Sequence, residues 1–161
     1  MSHRSRAVAL VFVVAALGLQ GCRATPPGKA EAKVATWTKL HVTIGGKKDV
    51  NPVQATADNI DEGKQLFTSY CMVCHGLDGQ NTGIPFANTL SPKVPSLASP
   101  EVQAYSDGQL KWIIQNGIYP SGMPPSDGEF SNNEMWEMVL YIRHLPPKGS
   151  LGVPPVYGAG K

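Results

Sequence analysis

The feature that most constrains the fold is the stretch from Gly76 to Tyr105, 30 residues with no helical period, three Gly and four Pro. A loop of this length is uncommon in a compact domain unless it packs on something other than its own chain. The surrounding domain, residues 58 to 145, has only 88 residues, so its own apolar core is marginal. We therefore expect a large apolar prosthetic group at its centre.

Three helical patterns flank this loop, each opened by a polar residue with Glu or Gln three positions later, as in a capping box. The pairs are Asn59 with Glu62, Ser106 with Gln109, and Ser131 with Glu134. The apolar faces that follow are Ile60, Gly63, Phe67, Tyr70 and Cys74, then Leu110, Ile113 and Ile114, then Met135, Met138, Val139 and Ile142. Gly117 and Pro146 end the second and third patterns. Since no strand pair is evident, the predicted fold class is all-α.

The N-terminus has the pattern of an export signal. Arg4 and Arg6 precede an apolar run of 13 residues, which is shorter than the roughly 20 residues that span a bilayer. The run ends in Leu19-Gln20-Gly21-Cys22, which resembles a bacterial lipobox although Gln20 departs from the usual small residue. We predict a lipoprotein signal peptide over residues 1–21 and an acylated Cys22. The alternative is an ordinary signal peptide that leaves Cys22 as a free thiol.

Two further segments lie outside the predicted domain. Residues 22–57 show no sustained helical period and are interpreted as a disordered tether, in which Trp37 to Ile44 alternates weakly like an extended segment. Residues 146–161, rich in Pro and Gly, are predicted to be a non-helical tail. Without the leader, 12 basic residues balance 12 acidic ones, which argues against binding to nucleic acid.

The chemistry-bearing motif is Cys71-Met72-Val73-Cys74-His75, the C-x-x-C-H signature of c-type haem attachment. Two thiols on one helical turn can form thioethers to one haem, while the adjacent His places a ring nitrogen under the iron. A structural zinc site needs four ligands, and only the isolated His41 and His144 could complete it. A thioredoxin-like redox pair would follow a strand rather than a helical pattern. We therefore expect one covalent haem c.

A second axial ligand must come from elsewhere in the chain. Met123 stands in the irregular run Gly122-Met123-Pro124-Pro125, where a side chain has no evident core role. Met72 lies inside the attachment motif, and two other methionines, Met135 and Met138, fit the core of the third helix. Because thioether sulfur suits a haem that transfers electrons, Met123 is the predicted ligand. His41 and His144 remain the alternatives.

Residues 58–145 resemble a class I c-type cytochrome of the small bacterial kind. The resemblance rests on the motif, on Gly-Met-Pro, and on Gly63 and Phe67, where this family packs its first helix against its last, with Tyr141 as the aromatic partner. It implies a small domain of three or more helices around covalent haem. Pro95 and Leu97 match the family's P-x-L, which implies that the Pro95 carbonyl accepts the Nδ1 proton of His75.

These features predict a monohaem cytochrome that carries single electrons between periplasmic or membrane redox complexes and is no enzyme. With His75 and Met123 both on the iron, no position is open for a small-molecule substrate. The expected partners are redox proteins and, through Cys22, the periplasmic side of a bacterial membrane. The alternatives are a fixed haem subunit of a larger respiratory oxidoreductase or oxidase, and a peroxidase or ligand sensor with an open sixth position.

Overall fold

A computed structural model describes residues 28–38, 42, 44, 47–118 and 121–158. The chain divides into two compact units, residues 1–36 and 37–161. The described residues form seven helices and no β-strand beyond isolated bridges, which confirms the predicted all-α class. The helices are α1 (Lys29–Thr38), α2 (Ala57–Tyr70), α3 (Met72–His75), α4 (Pro100–Gln103), α5 (Asp107–Asn116), α6 (Asn132–Arg143) and α7 (Pro155–Gly158).

The centre of the second unit is the crossing of α2 and α6. A Cβ atom on Gly63 would lie 2.0 Å from the backbone oxygen of Glu137, so only glycine permits this close approach. One turn further along α2, the buried ring of Phe67 packs against Tyr141, with ring centroids 5.2 Å apart. The helix packing implied by the family resemblance is confirmed.

Two of the three predicted helix starts are confirmed, and one is wrong. Complete capping boxes open α5 at Ser106 and α6 at Ser131. The first helix starts three residues earlier than predicted, because the Thr56 hydroxyl accepts a hydrogen bond from the Asn59 amide and thereby takes the N-cap position. The helix also ends at Tyr70, so Cys74 lies on the next turn rather than on the face of α2.

The remaining core is built on α5 and α6. The predicted inward faces are buried, including Leu110, Ile113 and Ile114 on α5 and Met135 and Met138 on α6, which confirms the two methionines as core residues. Arg143 fixes the end of α6 to the start of α5. Its guanidinium binds the Asp107 carboxylate at 2.8 Å and the Gln103 backbone carbonyl at 3.0 Å.

The long loop after the attachment motif is organised by hydrogen bonds. The Leu97 amide donates to the Gly79 carbonyl at 2.8 Å, and the side chain of Asn81 donates to the Val94 carbonyl at 2.9 Å. The loop contains one helical turn, α4, that the sequence pattern did not predict. This turn forms because the Ser99 side chain caps it and a proline occupies its first position.

The prediction of a disordered tether over residues 22–57 is wrong in two places. Residues 29–38 form α1, since Ala, Lys and Glu are strong helix formers, and α1 includes Trp37, which was predicted to be extended. Residues 47–51 are bound to α5 and α6: the Lys47 and Asp49 carbonyls accept from Ser106 and Gly108, and Asn51 donates to the Trp136 carbonyl at 2.9 Å.

The tail also differs from its prediction. Pro155 occupies the first position of a one-turn helix, where its missing amide proton costs nothing, so the tail is partly helical. Pro154, directly before that turn, is fully buried. None of the helices in the described ranges has the length and apolar character needed to cross a bilayer.

Candidate haem-attachment site

The attachment motif folds as one tight turn directly after α2. The Cys71 amide still donates to the α2 carbonyl of Phe67 at 2.8 Å, and the Cys71 carbonyl accepts from the amides of Cys74 and His75 at 3.2 and 3.0 Å. Gly76, with φ of 77°, then turns the chain out of the helical conformation. The turn therefore presents both sulfurs and the imidazole from five consecutive residues.

The two cysteines are free thiols and partly buried. Burial, and then the neighbouring Cys74, raises the pKa of the Cys71 thiol to about 12, and burial also raises the pKa of Cys74. Both groups are therefore protonated at neutral pH. Dithiol redox motifs instead depend on a cysteine with a lowered pKa, so these electrostatics do not favour the thioredoxin-like alternative.

The His75 ring is buried and stays neutral at physiological pH. Burial lowers its pKa to about 4, while the nearby Pro95 backbone carbonyl acts in the opposite direction. Nδ1 makes no hydrogen bond of good geometry within the described part of the chain, although the Pro95 backbone is close enough to affect the His75 pKa. The structure thus brings Pro95 to the ring, and the hydrogen bond between them remains a prediction. A neutral imidazole is the form that binds a metal.

A fully buried carboxylate, Asp78, braces the segment that follows His75. It accepts hydrogen bonds from the Gln80 amide at 2.9 Å, the Thr82 hydroxyl at 2.5 Å and the Gly149 amide at 2.7 Å. Burial alone would raise the Asp78 pKa, but these donors outweigh it and hold the pKa below its ordinary value. The role of Asp78 was not predicted, because its only signal in the sequence is an acidic residue between two glycines, Gly76 and Gly79.

Met123 lies on a separate loop that follows α5. The Ile118 amide donates to the Met123 carbonyl at 3.1 Å, and the Ser121 hydroxyl donates to the Ile118 carbonyl at 2.6 Å. A Cβ atom on Gly117 would lie 2.5 Å from the Met123 carbonyl oxygen, so glycine is required there. Met123 is half-buried, and its role as a ligand remains a prediction.

The other candidate ligands are placed only in part. His144 is exposed at the end of α6, where its Nδ1 lies 2.8 Å from the Leu140 carbonyl. His41 and Cys22 lie outside the described residues. Nowhere in the described ranges do three or more His, Cys, Asp or Glu side chains come together as a metal-binding group, so the zinc alternative gains no support.

The residues of the turn fit a covalent haem. Two cysteines on one turn can each form a thioether, and the adjacent His75 is a buried, neutral imidazole, the form that binds a metal. Cys71 and Cys74 would hold the haem covalently, and His75 would bind its iron. When bound, haem c supplies an iron centre that takes up and releases one electron.

Comparison with known proteins agrees with this geometry. The family model described as cytochrome c oxidase, cbb3-type, subunit III matches residues 58–142. Quinohemoprotein alcohol dehydrogenase ADH IIB of Pseudomonas putida is 28% identical over 143 residues, which are 88% of this chain and 16% of that protein. The 1-butanol dehydrogenase (cytochrome c) of Thauera butanivorans is 26% identical over 115 residues, 71% of this chain and 14% of that protein.

The chain spans about a sixth of the length of these dehydrogenases, whereas the family model covers more than half of the chain. The matched residues include both the attachment turn and the crossing of α2 with α6. A domain of this family carries electrons and is not itself catalytic. The chain belongs to the c-type cytochrome family of cbb3-type cytochrome c oxidase subunit III, whose domain binds haem c covalently and transfers electrons.

Proposed function

We propose that this chain is a monohaem c-type cytochrome, anchored through acylated Cys22 to the periplasmic side of a bacterial membrane, that carries single electrons between redox proteins. The attachment turn carries the proposal, because it joins Cys71 and Cys74 to a buried neutral His75. The export pattern before Cys22 supports it as well, since c-type haem is attached outside the cytoplasm.

The carrier function depends on an iron with no open position. His75 supplies one ligand in the proposal and Met123 the other, so that no small molecule can reach the iron. The position of Met123 supports this pairing, because the side chain is half-buried and does not belong to the hydrophobic core. A methionine ligand raises the reduction potential and suits electron transfer rather than catalysis.

A fixed subunit of a larger respiratory complex is the second candidate. Two observations favour it: the family is described as a subunit of an oxidase, and the two dehydrogenases contain a matching stretch within much longer chains. In this case the same haem site passes electrons within one assembly. The two candidates differ in what the protein is bound to, not in the chemistry of the site.

Membrane extraction separates these candidates. The wild-type protein should stay with membranes through a high-salt wash, because acyl chains rather than charges hold it. After solubilisation in mild detergent, a carrier migrates alone on size exclusion, whereas a subunit co-migrates with partner chains in fixed ratio. Reproducible co-migration would replace the carrier by the subunit.

The lipid anchor is tested by Cys22→Ser, followed by intact-mass measurement of the processed protein. We expect loss of the acyl mass and release from the membrane. Cys71→Ser is the matched control: it removes a haem-attachment thiol and should leave the acyl mass unchanged. If the processed Cys22→Ser protein still carries acyl chains, or if the wild type carries none, the anchor is wrong.

A further inference from the structure

The C-terminal tail returns to the attachment turn. The family match ends at residue 142, and residues 146–158, here called the strap, lie beyond it. The Tyr157 hydroxyl donates a 2.8 Å hydrogen bond to the backbone carbonyl of Val73. Val73 lies between the two cysteines of the motif, so the strap contacts the segment that holds the haem.

The Val73 carbonyl has no donor within its own helix. In α3 the Cys71 and Met72 carbonyls accept from the amides of His75 and Gly76. Gly76 then leaves the helical conformation, with φ of 77°, so the Val73 carbonyl belongs to the last turn, whose carbonyls have no partner within the helix. Tyr157 therefore supplies a C-terminal cap from 84 residues away in the sequence.

Further contacts hold the strap along the loop that follows His75. The Gly149 amide donates to the buried Asp78 carboxylate at 2.7 Å, and the Pro146 carbonyl accepts from the side chain of Gln80 at 2.8 Å. A Cβ atom on Gly83 would lie 2.5 Å from the Val153 side chain, so the strap packs closely on that glycine.

The aromatic ring of Tyr157 is held as well as its hydroxyl. It packs edge-on against Phe86, with ring centroids 6.1 Å apart, and Pro154 anchors the start of α7 by its complete burial. These contacts fix the direction of the hydroxyl toward Val73. A flexible tail would not make these hydrogen bonds and packing contacts, so the strap is an ordered part of the structure.

We propose that the strap fixes the attachment turn and that Tyr157 is a positioning residue for the haem, an inference that rests on the proposed attachment at Cys71, Cys74 and His75. A rigid turn holds the imidazole in one orientation and limits the access of water to it. Orientation of the axial histidine and the local dielectric both tune a haem reduction potential. Because water favours the more highly charged oxidised centre, loosening the strap lowers the potential.

Three proteins test the proposal: Tyr157→Phe, the adjacent control Val156→Ala, and a chain ending at Leu151. Val156 is 59% exposed, and the shortened chain keeps the Gly149 contact. Hydrogen exchange is measured at the amides of residues 74–77. Loss of one ordinary hydrogen bond predicts exchange about two- to tenfold faster in Tyr157→Phe, and faster still in the shortened chain. Val156→Ala should match the wild type.

Redox titration of the same proteins separates positioning from simple stabilisation. Tyr157→Phe should have a lower reduction potential than wild type and Val156→Ala. An unchanged potential, or exchange that accelerates equally over α5 and α6, would overturn the positioning role. A pyridine haemochrome assay is run on each sample. Absence of haem from the wild type contradicts the proposed function, whereas an unchanged exchange rate or potential in haem-loaded Tyr157→Phe contradicts the role of the strap alone.

Discussion

The Tyr141 hydroxyl donates a 2.9 Å hydrogen bond to the backbone carbonyl of Leu77, which joins α6 to the loop two residues beyond His75. Tyr141 is nearly fully buried. Burial, followed by the charge of Asp78, raises the Tyr141 pKa above its ordinary value of 10.0, so the hydroxyl keeps its proton well past neutral pH. The same ring packs on Phe67 of α2. One side chain thus links the helix crossing to the attachment site.

Tyr141→Phe should reduce the free energy of unfolding by about 1–3 kcal/mol, because the ring packing remains while the Leu77 carbonyl loses its donor. Chemical denaturation monitored by circular dichroism measures the change. Tyr70→Phe is the control, since the Tyr70 ring likewise packs against an aromatic neighbour, Phe130. Equal stability of Tyr141→Phe and wild type would show that the hydrogen bond contributes nothing.

Gly63→Ala should destabilise the protein by at least about 2 kcal/mol, since the new methyl group would clash with the backbone of Glu137 and force α2 and α6 apart. Thermal unfolding measures the loss. Lys64→Ala, at an exposed position on the same helix, serves as the control and should be close to neutral. A Gly63→Ala protein as stable as this control would contradict the close crossing.

Asp78→Asn should destabilise the protein by about 1–3 kcal/mol at neutral pH. The reason is that the NH2 group of asparagine would replace a carboxylate oxygen that accepts hydrogen bonds and would itself face hydrogen-bond donors. The variant should also change the pH dependence. The pKa of Asp78 is lowered in the folded state from its ordinary value of 3.8, so the unfolded chain binds more protons as pH falls. The stabilisation that the Asp78 carboxylate contributes to the folded state is therefore complete above pH 3.8, the ordinary pKa, and is lost as the pH falls through the lower pKa of the folded state.

Urea denaturation at a series of pH values measures this effect. The free energy of unfolding of the wild type should decline more steeply than that of Asp78→Asn from about pH 5 downward. The difference in this free energy between the two proteins should therefore become smaller as the pH falls. Asp61→Asn, an exposed residue on α2, is the matched control. Parallel stability curves for wild type and Asp78→Asn would argue that the buried carboxylate does not titrate as described.

Local signals in the sequence predicted most of the helical framework. The capping pairs predicted the starts of α5 and α6, because the two residues of a capping box are only three positions apart in the sequence. Gly63 and Phe67 predicted the crossing of α2 with α6. The start of α2 was missed because Thr56 and Asn59 are both good capping residues, and only the folded chain shows which hydroxyl or amide receives the hydrogen bond.

The long-range contacts of the site were not predictable in the same way. The hydrogen bonds from Tyr141 to Leu77 and from Tyr157 to Val73 join residues 64 and 84 positions apart. Hydrophobic periodicity describes only neighbouring residues of one helix, so it cannot predict such pairs. Pro and Gly in the tail predicted that it is non-helical, which is wrong because Pro155 begins a turn of helix. These residues also did not reveal that Pro154 is buried.

Met123→Leu should abolish the weak far-red absorption band of methionine-ligated haem and lower the reduction potential, because leucine keeps the volume but removes the sulfur. The variant should also bind cyanide or carbon monoxide readily at the open position. Met72→Leu is the matched control and should retain the band. If Met123→Leu keeps the wild-type spectrum while His144→Ala or His41→Ala changes it, the ligand is that histidine.

Covalent binding of one haem through Cys71 and Cys74 is tested by peptide mass spectrometry of the purified protein, combined with a pyridine haemochrome assay after acid-acetone extraction. We expect a single haem mass on the peptide containing residues 71–75, one c-type haem per chain, and no extractable haem. A peptide of unmodified mass with both thiols free, or haem that acid-acetone removes, would contradict it.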